Sequence, residues 1–183
     1  MIIEDNLREY NSKLLKINYF REGVIFDCNV LLVFFLSKYI MINPNKKYLL
    51  PKINITYQQI DCVNNLLVNL KISKIIVTPY ILSEFFNKIR SKLKEDYKDI
   101  KRECMKDLEN FGEIHILKNN LLKHKDFIDF GNDISLVLAT EEQINKFKFS
   151  CIMSFDDRFI QNSFRKTGNN VLAFNLSVLQ HII

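Results

Sequence analysis

Short runs of apolar residues alternate along this chain with longer segments whose apolar residues recur at helical spacing, and this alternation constrains the fold most. The predicted strands are Val24–Phe26, Lys74–Val77, Glu113–Leu117, Phe149–Phe155 and Val171–Phe174. Strands that are apolar throughout and separated by helices are typical of a parallel sheet covered on both faces. We therefore predict an α/β fold with three layers, α/β/α, around a central, mostly parallel five-stranded sheet.

Helices are predicted between these strands and also ahead of the first one. Thr78 and Pro79 are suited to an N-cap and a first helical position, so they begin a helix that breaks near Lys94 and continues toward Phe111. Apolar spacing over Glu4–Phe20 predicts an amphipathic helix. We divide the chain into an N-terminal helical extension, residues 1–22, and one α/β domain, residues 23–183. The other predicted helices are 30–40, 58–70, 132–143, 157–164 and 175–183, and 43–52 is a predicted loop.

Composition and cysteine spacing narrow the class of protein. Apolar residues make up 48% of the 183 residues, which suffices for a core and excludes a wholly disordered chain. The four cysteines lack the CxxC spacing of zinc ribbons and redox pairs. The longest apolar run, Val30–Leu36, is far shorter than the roughly 20 residues that span a bilayer, and no signal peptide is recognisable. We expect a cytoplasmic protein with reduced cysteines and no membrane partner.

Carboxylates follow the predicted strands at the edge where parallel α/β folds place their functional crevice. Asp27 ends the first strand, Asp156 and Asp157 end the fourth, Glu84 lies in the helix after the second, and Asp133 begins a later helix. For any one of them alone a structural explanation is favoured: Asp27 and Asp156 would cap the helices that follow them, Asp133 suits a helix N-terminus, and Glu84 would be a boundary residue whose carboxylate reaches solvent. Together they would repel one another, with no evident Lys or Arg beside them, and a divalent cation would relieve that repulsion. Oxygen ligands without His or Cys favour Mg²⁺ or Mn²⁺ over zinc.

Four segments in this order resemble the acidic motifs of PIN-domain nucleases. They are Val24-Ile25-Phe26-Asp27-Cys28-Asn29, Ile76-Val77-Thr78-Pro79 with Glu84 following, Gly131-Asn132-Asp133, and Ile152-Met153-Ser154-Phe155-Asp156. The resemblance extends from residue 23 to about residue 176. The chain departs from the family pattern in its N-terminal extension, in the length of the 88–111 segment, and in the Ile-Ser that follows Asp133.

The resemblance implies a Mg²⁺- or Mn²⁺-dependent ribonuclease with Asp27, Glu84, Asp133 and Asp156 as catalytic and metal-binding residues. Asn29 and Ser154 would support them, and Asp157 is a further metal ligand that would share the ion with Asp156 or replace it. The resemblance also implies RNA as a partner, a toxin role with a cognate antitoxin protein, and a homodimer. The alternative from another class is a non-catalytic RNA- or protein-binding module on the same PIN-like fold. A phosphatase of the haloacid dehalogenase kind is excluded, because Asn29 stands where its acid would be.

A basic segment after the first strand is a candidate RNA-binding surface. The chain carries a net charge of +5, and without the four site carboxylates its 26 Lys and Arg residues leave an excess of +9. No acid lies between Asp27 and Asp61, whereas lysines and tyrosines recur there. Lysines can bind phosphates and tyrosines can stack on bases, but a solvated loop with packed tyrosines explains the pattern equally well. The candidate RNA-binding residues are Lys38, Lys46, Lys47, Tyr48 and Lys52.

Overall fold

Five parallel strands form a single sheet in the computed structural model, which describes Phe20, residues 22–164 and residues 170–179. The sheet order is β3-β2-β1-β4-β5, and every pairing is parallel. The predicted α/β fold of three layers around five parallel strands is thereby confirmed. The strands are β1 (Val24–Phe26), β2 (Ile75–Val77), β3 (Gly112–Glu113), β4 (Ser150–Ser154) and β5 (Val171–Asn175).

The helices agree with the sequence pattern in most segments between the strands. The predicted break near Lys94 is confirmed, because α4 ends at Lys92 and α5 begins at Tyr97. The helix predicted over Glu4–Phe20 and the extension that contains it lie outside the described residues, apart from Phe20 and Glu22. The α-helices are α1 (Cys28–Ile42), α2 (Leu49–Lys52), α3 (Tyr57–Asn69), α4 (Pro79–Lys92), α5 (Tyr97–Leu108), α6 (Lys118–Lys123), α7 (Phe127–Phe130), α8 (Ile134–Phe147), α9 (Asp157–Phe164) and α10 (Leu176–Leu179).

Two sequence predictions about local structure were wrong. The predicted strand Glu113–Leu117 is only the two-residue β3. Its partner strand β2 ends at Val77, and Pro79 begins α4 directly afterwards. A longer edge strand would therefore have no neighbouring strand to pair with. The predicted loop at 43–52 contains a 3₁₀ turn, Pro44–Lys46, and the short helix α2. Buried Leu49 and Leu50 anchor this segment to the core.

The sheet is buried from both sides, and its central strand is the most buried part of the fold. All three residues of β1 are inaccessible to solvent, and most residues of α1 are buried as well. Gly23 leads the chain into β1 with a φ of +102°, where a Cβ atom would come within 2.9 Å of the Ile76 side chain. A glycine is therefore required at this entry. Among the described helices, none is both long and apolar enough to cross a membrane.

The strand order places a topological switch point between β1 and β4. From β1 the chain adds β2 and β3 on one side of the sheet, and β4 and β5 then lie on the other side. In open α/β sheets, the crevice at the carboxyl ends of the strands next to such a point is the usual binding site. The residues directly after β1 and β4 are Asp27 and Phe155-Asp156.

Candidate active site

Asp27 is fixed at the carboxyl end of β1 by bonds to the neighbouring strand β4. Its backbone N–H donates to the carbonyl of Met153 at 3.1 Å, and its carboxylate accepts a hydrogen bond from Ser154 Oγ at 2.6 Å. The residue is only 3% exposed. Ser154 Oγ in turn accepts from the backbone N–H of Asp156 at 2.9 Å. Ser154 therefore links two of the predicted site carboxylates, in keeping with the supporting role implied by the resemblance.

Helix capping explains only one of the three predicted site aspartates that precede helices. Asp156 Oδ1 accepts a hydrogen bond from the N–H of Phe159 at 2.8 Å, as an N-cap of α9 would. Asp27 and Asp133 occupy the N-cap positions of α1 and α8, yet neither side chain makes a capping hydrogen bond. Their carboxylates are therefore free of that structural task.

Asp133 shows that the four predicted carboxylates come together. Burial raises its pKa to about 7, and the negative charges of Asp27, Glu84 and Asp156 add to the increase, while Lys88 opposes it. Burial likewise raises the pKa of Asp27 to about 6, and Glu84 adds to this, although the hydrogen bonds from Ser154 and the Cys28 backbone lower it. Four acids from four separate segments thus act on one another at the crevice beside the switch point.

A lysine lies among these carboxylates, which contradicts the expectation that no basic residue accompanies them. Lys88 Nζ is 2.7 Å from Glu84 Oε1, one helical turn earlier on α4, and 3.2 Å from Asn29 Oδ1. Burial lowers the pKa of Lys88, but the bond to Glu84 and the surrounding negative groups outweigh that effect and raise it. The i, i+4 spacing of Glu84 and Lys88 was the signal in the sequence that could have revealed the pair.

Cys28 also contacts the site. It is 1% exposed, and burial raises the pKa of its thiol far above the usual range. Its side chain is hydrogen-bonded to Glu84, which raises that pKa further. Cys28 is the first residue of α1, and the helical backbone turns its side chain toward α4 instead of leaving it in the strand alternation.

A buried pair of hydroxyl groups ties the helix of Glu84 to the helix that follows Asp133. Thr78 Oγ1 accepts from the N–H of Ile81 at 3.3 Å, which caps α4, and lies 2.8 Å from Ser135 Oγ. Both residues are fully buried. Ser135 is a residue in which the chain departs from the family pattern, and the structure gives it a positioning role that the sequence did not indicate.

Asp157 is held apart from the other carboxylates. Its two carboxylate oxygens accept hydrogen bonds from Gln161 Nε2 at 2.8 and 2.9 Å, and Asn175 at the end of β5 donates to it as well. The causes that raise the pKa of Asp133 include Asp156 but not Asp157. Of the two alternatives left open by the sequence, the geometry favours Asp156 as a member of the cluster.

The predicted RNA-binding residues whose partners the structure shows are bonded to groups other than the four site carboxylates. Lys38 lies 11 residues beyond Asp27, or roughly 16 Å along α1 at the helical rise. It pairs with Asp107 at 2.9 Å, and Lys46 pairs with the buried carboxylate of Asp96 at 2.7 Å. The Tyr48 ring lies under Lys52, 4.9 Å from its Nζ, while Lys47 is exposed. Two of these lysines thus support the fold, and RNA binding by this segment stays a prediction.

An open groove of about 690 Å³ begins beside Glu84 and follows α4; we call it the α4 groove. Among the described residues that line it, the charged members are Glu84, Lys88, Arg90 and Lys94, and every other one is a serine or an asparagine. One of these is Asn132, from the turn that carries Asp133. The groove therefore leads from the carboxylate cluster outward along a polar, net positive face.

As placed, the cluster is not a closed metal cage. Within the described part of the chain, no three His, Cys, Asp or Glu side chains are grouped so that they could hold a metal ion. The ammonium of Lys88 already neutralises part of the negative charge.

Comparison with protein-family models, with curated proteins and with solved structures gave no match for this chain. The resemblance to PIN-domain nucleases therefore depends on the four motifs around Asp27, Glu84, Asp133 and Asp156, and it remains a prediction.

Proposed function

We propose that this chain is a Mg²⁺- or Mn²⁺-dependent ribonuclease that hydrolyses RNA phosphodiester bonds. The observation that carries the proposal is the convergence of carboxylates at the carboxyl edge of the sheet, where Ser154 links Asp27 to Asp156 and where burial and the charges of Asp27, Glu84 and Asp156 raise the pKa of Asp133 to about 7. Mutual repulsion of this kind has a cost, and clusters of such perturbed groups in a crevice are characteristic of functional sites. The crevice is also the one that the strand order selects.

The donor set fits a hard divalent cation in its chemistry. Carboxylate oxygens are the ligands that Mg²⁺ and Mn²⁺ prefer, whereas the amide oxygen of Asn29 already accepts from Lys88 and the hydroxyl of Ser154 is bonded to Asp27 and to the Asp156 N–H. When bound, the ion would activate a water molecule and neutralise charge on the phosphodiester.

The chain's own residues would hold and orient the reactants. Asp27, locked by Ser154 and almost wholly buried, supplies the fixed charge of the site. Asp133 and Asp156 add negative charge at the starts of α8 and α9. The hydrogen bond from the Phe159 N–H holds the Asp156 carboxylate in position. Glu84, with a side chain 28% exposed, is the member that reaches the α4 groove and can orient a water molecule there.

A non-catalytic RNA- or protein-binding module is the second candidate, and two observations favour it. The described carboxylates are not grouped as metal ligands, and Lys88 is ion-paired with Glu84. A module without metal would use Lys88 as a permanent partner of these acids. A toxin role with an antitoxin partner, and a homodimer, follow from the family resemblance alone and remain predictions.

The two candidates separate in one experiment. Wild type and Asp27→Asn are incubated with a labelled single-stranded RNA in Mn²⁺, in Mg²⁺ and in excess chelator, and their melting temperatures are measured under the same conditions. The nuclease should cleave only with metal, should melt at a higher temperature when metal is bound, and should lose both properties in Asp27→Asn. Wild type that neither cleaves RNA nor is stabilised by metal would exclude the nuclease and support the binding module.

A further inference from the structure

We propose that the α4 groove is the binding track for the RNA backbone, and that it recognises phosphate and ribose and not the bases. The inference rests on the proposed function, and it assigns the substrate to a surface different from the basic segment 38–52. The groove begins at Glu84 and contains the loop residue Asn132, so a strand lying in it would pass directly beside the carboxylate cluster.

The lining has the chemistry of a phosphate-binding surface. Among the described lining residues, Lys88, Arg90 and Lys94 contribute three positive charges against the single carboxylate of Glu84. Glu84 and Arg90 are six residues apart on α4, or about 9 Å along the helix, so the positive end of the groove is set apart from its acidic end. A chain of phosphates entering from the positive end would be attracted before it meets the carboxylates.

The neutral members of the groove extend this recognition to sugar hydroxyls. They are serines and asparagines, whose hydroxyl and amide groups both donate and accept hydrogen bonds. The Asn87 amide oxygen accepts from Arg90 Nη2 at 3.3 Å, which keeps the guanidinium beside the groove. Such groups suit the 2′-hydroxyl and phosphate oxygens of RNA.

The lining, as far as the chain is described, contains no aromatic side chain. Base stacking on aromatic rings is the usual means by which single-stranded tracks bind the bases themselves. Without it, binding in this groove depends on the backbone and tolerates any sequence. The segment around Tyr48 has the opposite character, since its exposed ring could stack on a base.

Two variants with the same change of charge distinguish the two surfaces. Arg90→Gln/Lys94→Gln removes two exposed cations from the groove, and Lys47→Gln/Lys52→Gln removes two exposed cations from the basic segment. Both are made in Asp27→Asn protein, and binding of a fluorescein-labelled ten-nucleotide single-stranded RNA is measured by anisotropy in chelator over a range of salt concentrations. This readout does not depend on cleavage, so it remains valid if the nuclease proposal fails.

The groove variant should bind the RNA about tenfold more weakly than its parent at low salt. The plot of log affinity against log salt should become less steep by about 1.4, because each lost phosphate contact reduces the magnitude of the slope by about 0.7. The variant of the basic segment should stay within twofold of the parent, and oligo-A and oligo-U should bind equally well. Equal loss in both variants, loss only in the basic segment, or a tenfold preference between the two homopolymers would overturn the inference.

Discussion

The ammonium group of Lys88 lies 2.7 Å from Glu84 Oε1 and 3.2 Å from Asn29 Oδ1, so the protein places a cation of its own among the carboxylates. The same charge lowers the pKa values of Asp27 and Asp133, which burial and mutual repulsion raise. Because the Lys88 side chain is 39% exposed, the ion pair is screened by water and is worth at most about 1 kcal/mol. A cation held this weakly can be displaced by a stronger one.

Replacing Lys88 by methionine should therefore strengthen metal binding. The Lys88→Met variant keeps the length of the side chain but removes the competing charge, so the dissociation constant for Mn²⁺ should fall by up to about fivefold, which corresponds to about 1 kcal/mol. Calorimetric titration of the metal-free protein measures this directly. Lys92→Met is the matched control, because Lys92 is exposed, lies on the same helix and does not line the α4 groove. Weaker Mn²⁺ binding in Lys88→Met would mean that Lys88 assists the metal and does not compete with it.

The raised pKa values of Asp27 and Asp133 predict how stability depends on pH in the absence of metal. The ordinary pKa of an aspartate side chain is 3.8, whereas in the folded protein the two values are about 6 and about 7. Between these limits the folded protein binds more protons than the unfolded chain, so the free energy of unfolding falls as pH rises, and the full penalty is present above pH 7. Metal-free protein should be less stable near pH 8 than near pH 5, by about 1 to 3 kcal/mol after allowance for solvent screening.

Urea unfolding of wild type and Asp133→Asn in chelator at both pH values tests this origin. The variant should be more stable than wild type near pH 8 and should lose a large part of the pH dependence, because its amide cannot ionise. Asp129→Asn serves as a control, since that residue is exposed and lies on the same approach to α8. An identical pH profile in wild type and Asp133→Asn would show that Asp133 does not have the raised pKa.

The sequence predicted the fold and the four carboxylates, because both depend on residues that are close in the chain or that follow strand ends. The apolar composition of Val24–Phe26 by itself predicts a buried strand, and Asp27 must then lie at the carboxyl end of that strand. Lys88 was missed because its side chain folds back along α4 to Glu84, and the search for charge partners covered only the residues beside each carboxylate in the sequence. The contact between Thr78 and Ser135 joins residues 57 positions apart, and no local pattern encodes such a pairing.

Removing the hydroxyl of Ser154 should weaken the site through Asp27. The bond from Ser154 Oγ to Asp27 Oδ2 is buried and has a charged acceptor, and such bonds contribute about 1.5 to 3 kcal/mol. Ser154→Ala should lower the free energy of unfolding by that amount near pH 8, where Asp27 is ionised. In Asp27→Asn protein the same substitution should cost only about 1 kcal/mol, since both partners are then neutral. Equal costs in the two backgrounds would show that Ser154 acts through the Asp156 N–H instead.

The hydroxyl pair Thr78–Ser135 should couple the position of Asp133 to α4. Ser135→Ala leaves Thr78 Oγ1 without its buried partner at 2.8 Å, which should cost about 1 to 3 kcal/mol. Thr78→Val should cost about 1 kcal/mol more, because it also removes the cap on the Ile81 N–H of α4, and the double variant should cost less than the sum of the two, because the loss of the hydroxyl pair is shared. Additive costs in denaturant unfolding would refute the coupling.

Asp156 and Asp157 should respond differently to the same change. Asp156→Asn removes one of the charges that act on Asp133, while an asparagine can still cap α9 by accepting from the Phe159 N–H. The variant should therefore fold normally but lose metal-dependent stabilisation and at least about 100-fold in cleavage rate.

Asp157→Asn should retain both properties, because its carboxylate is bonded to Gln161 and Asn175 and is absent from the groups that perturb Asp133. Melting curves with and without Mn²⁺, followed by RNA cleavage assays, compare the two variants on the same scale. If Asp157→Asn lost the response to metal and Asp156→Asn kept it, Asp157 would be the ligand, and the carboxylate of Asp156 would serve only as the cap of α9.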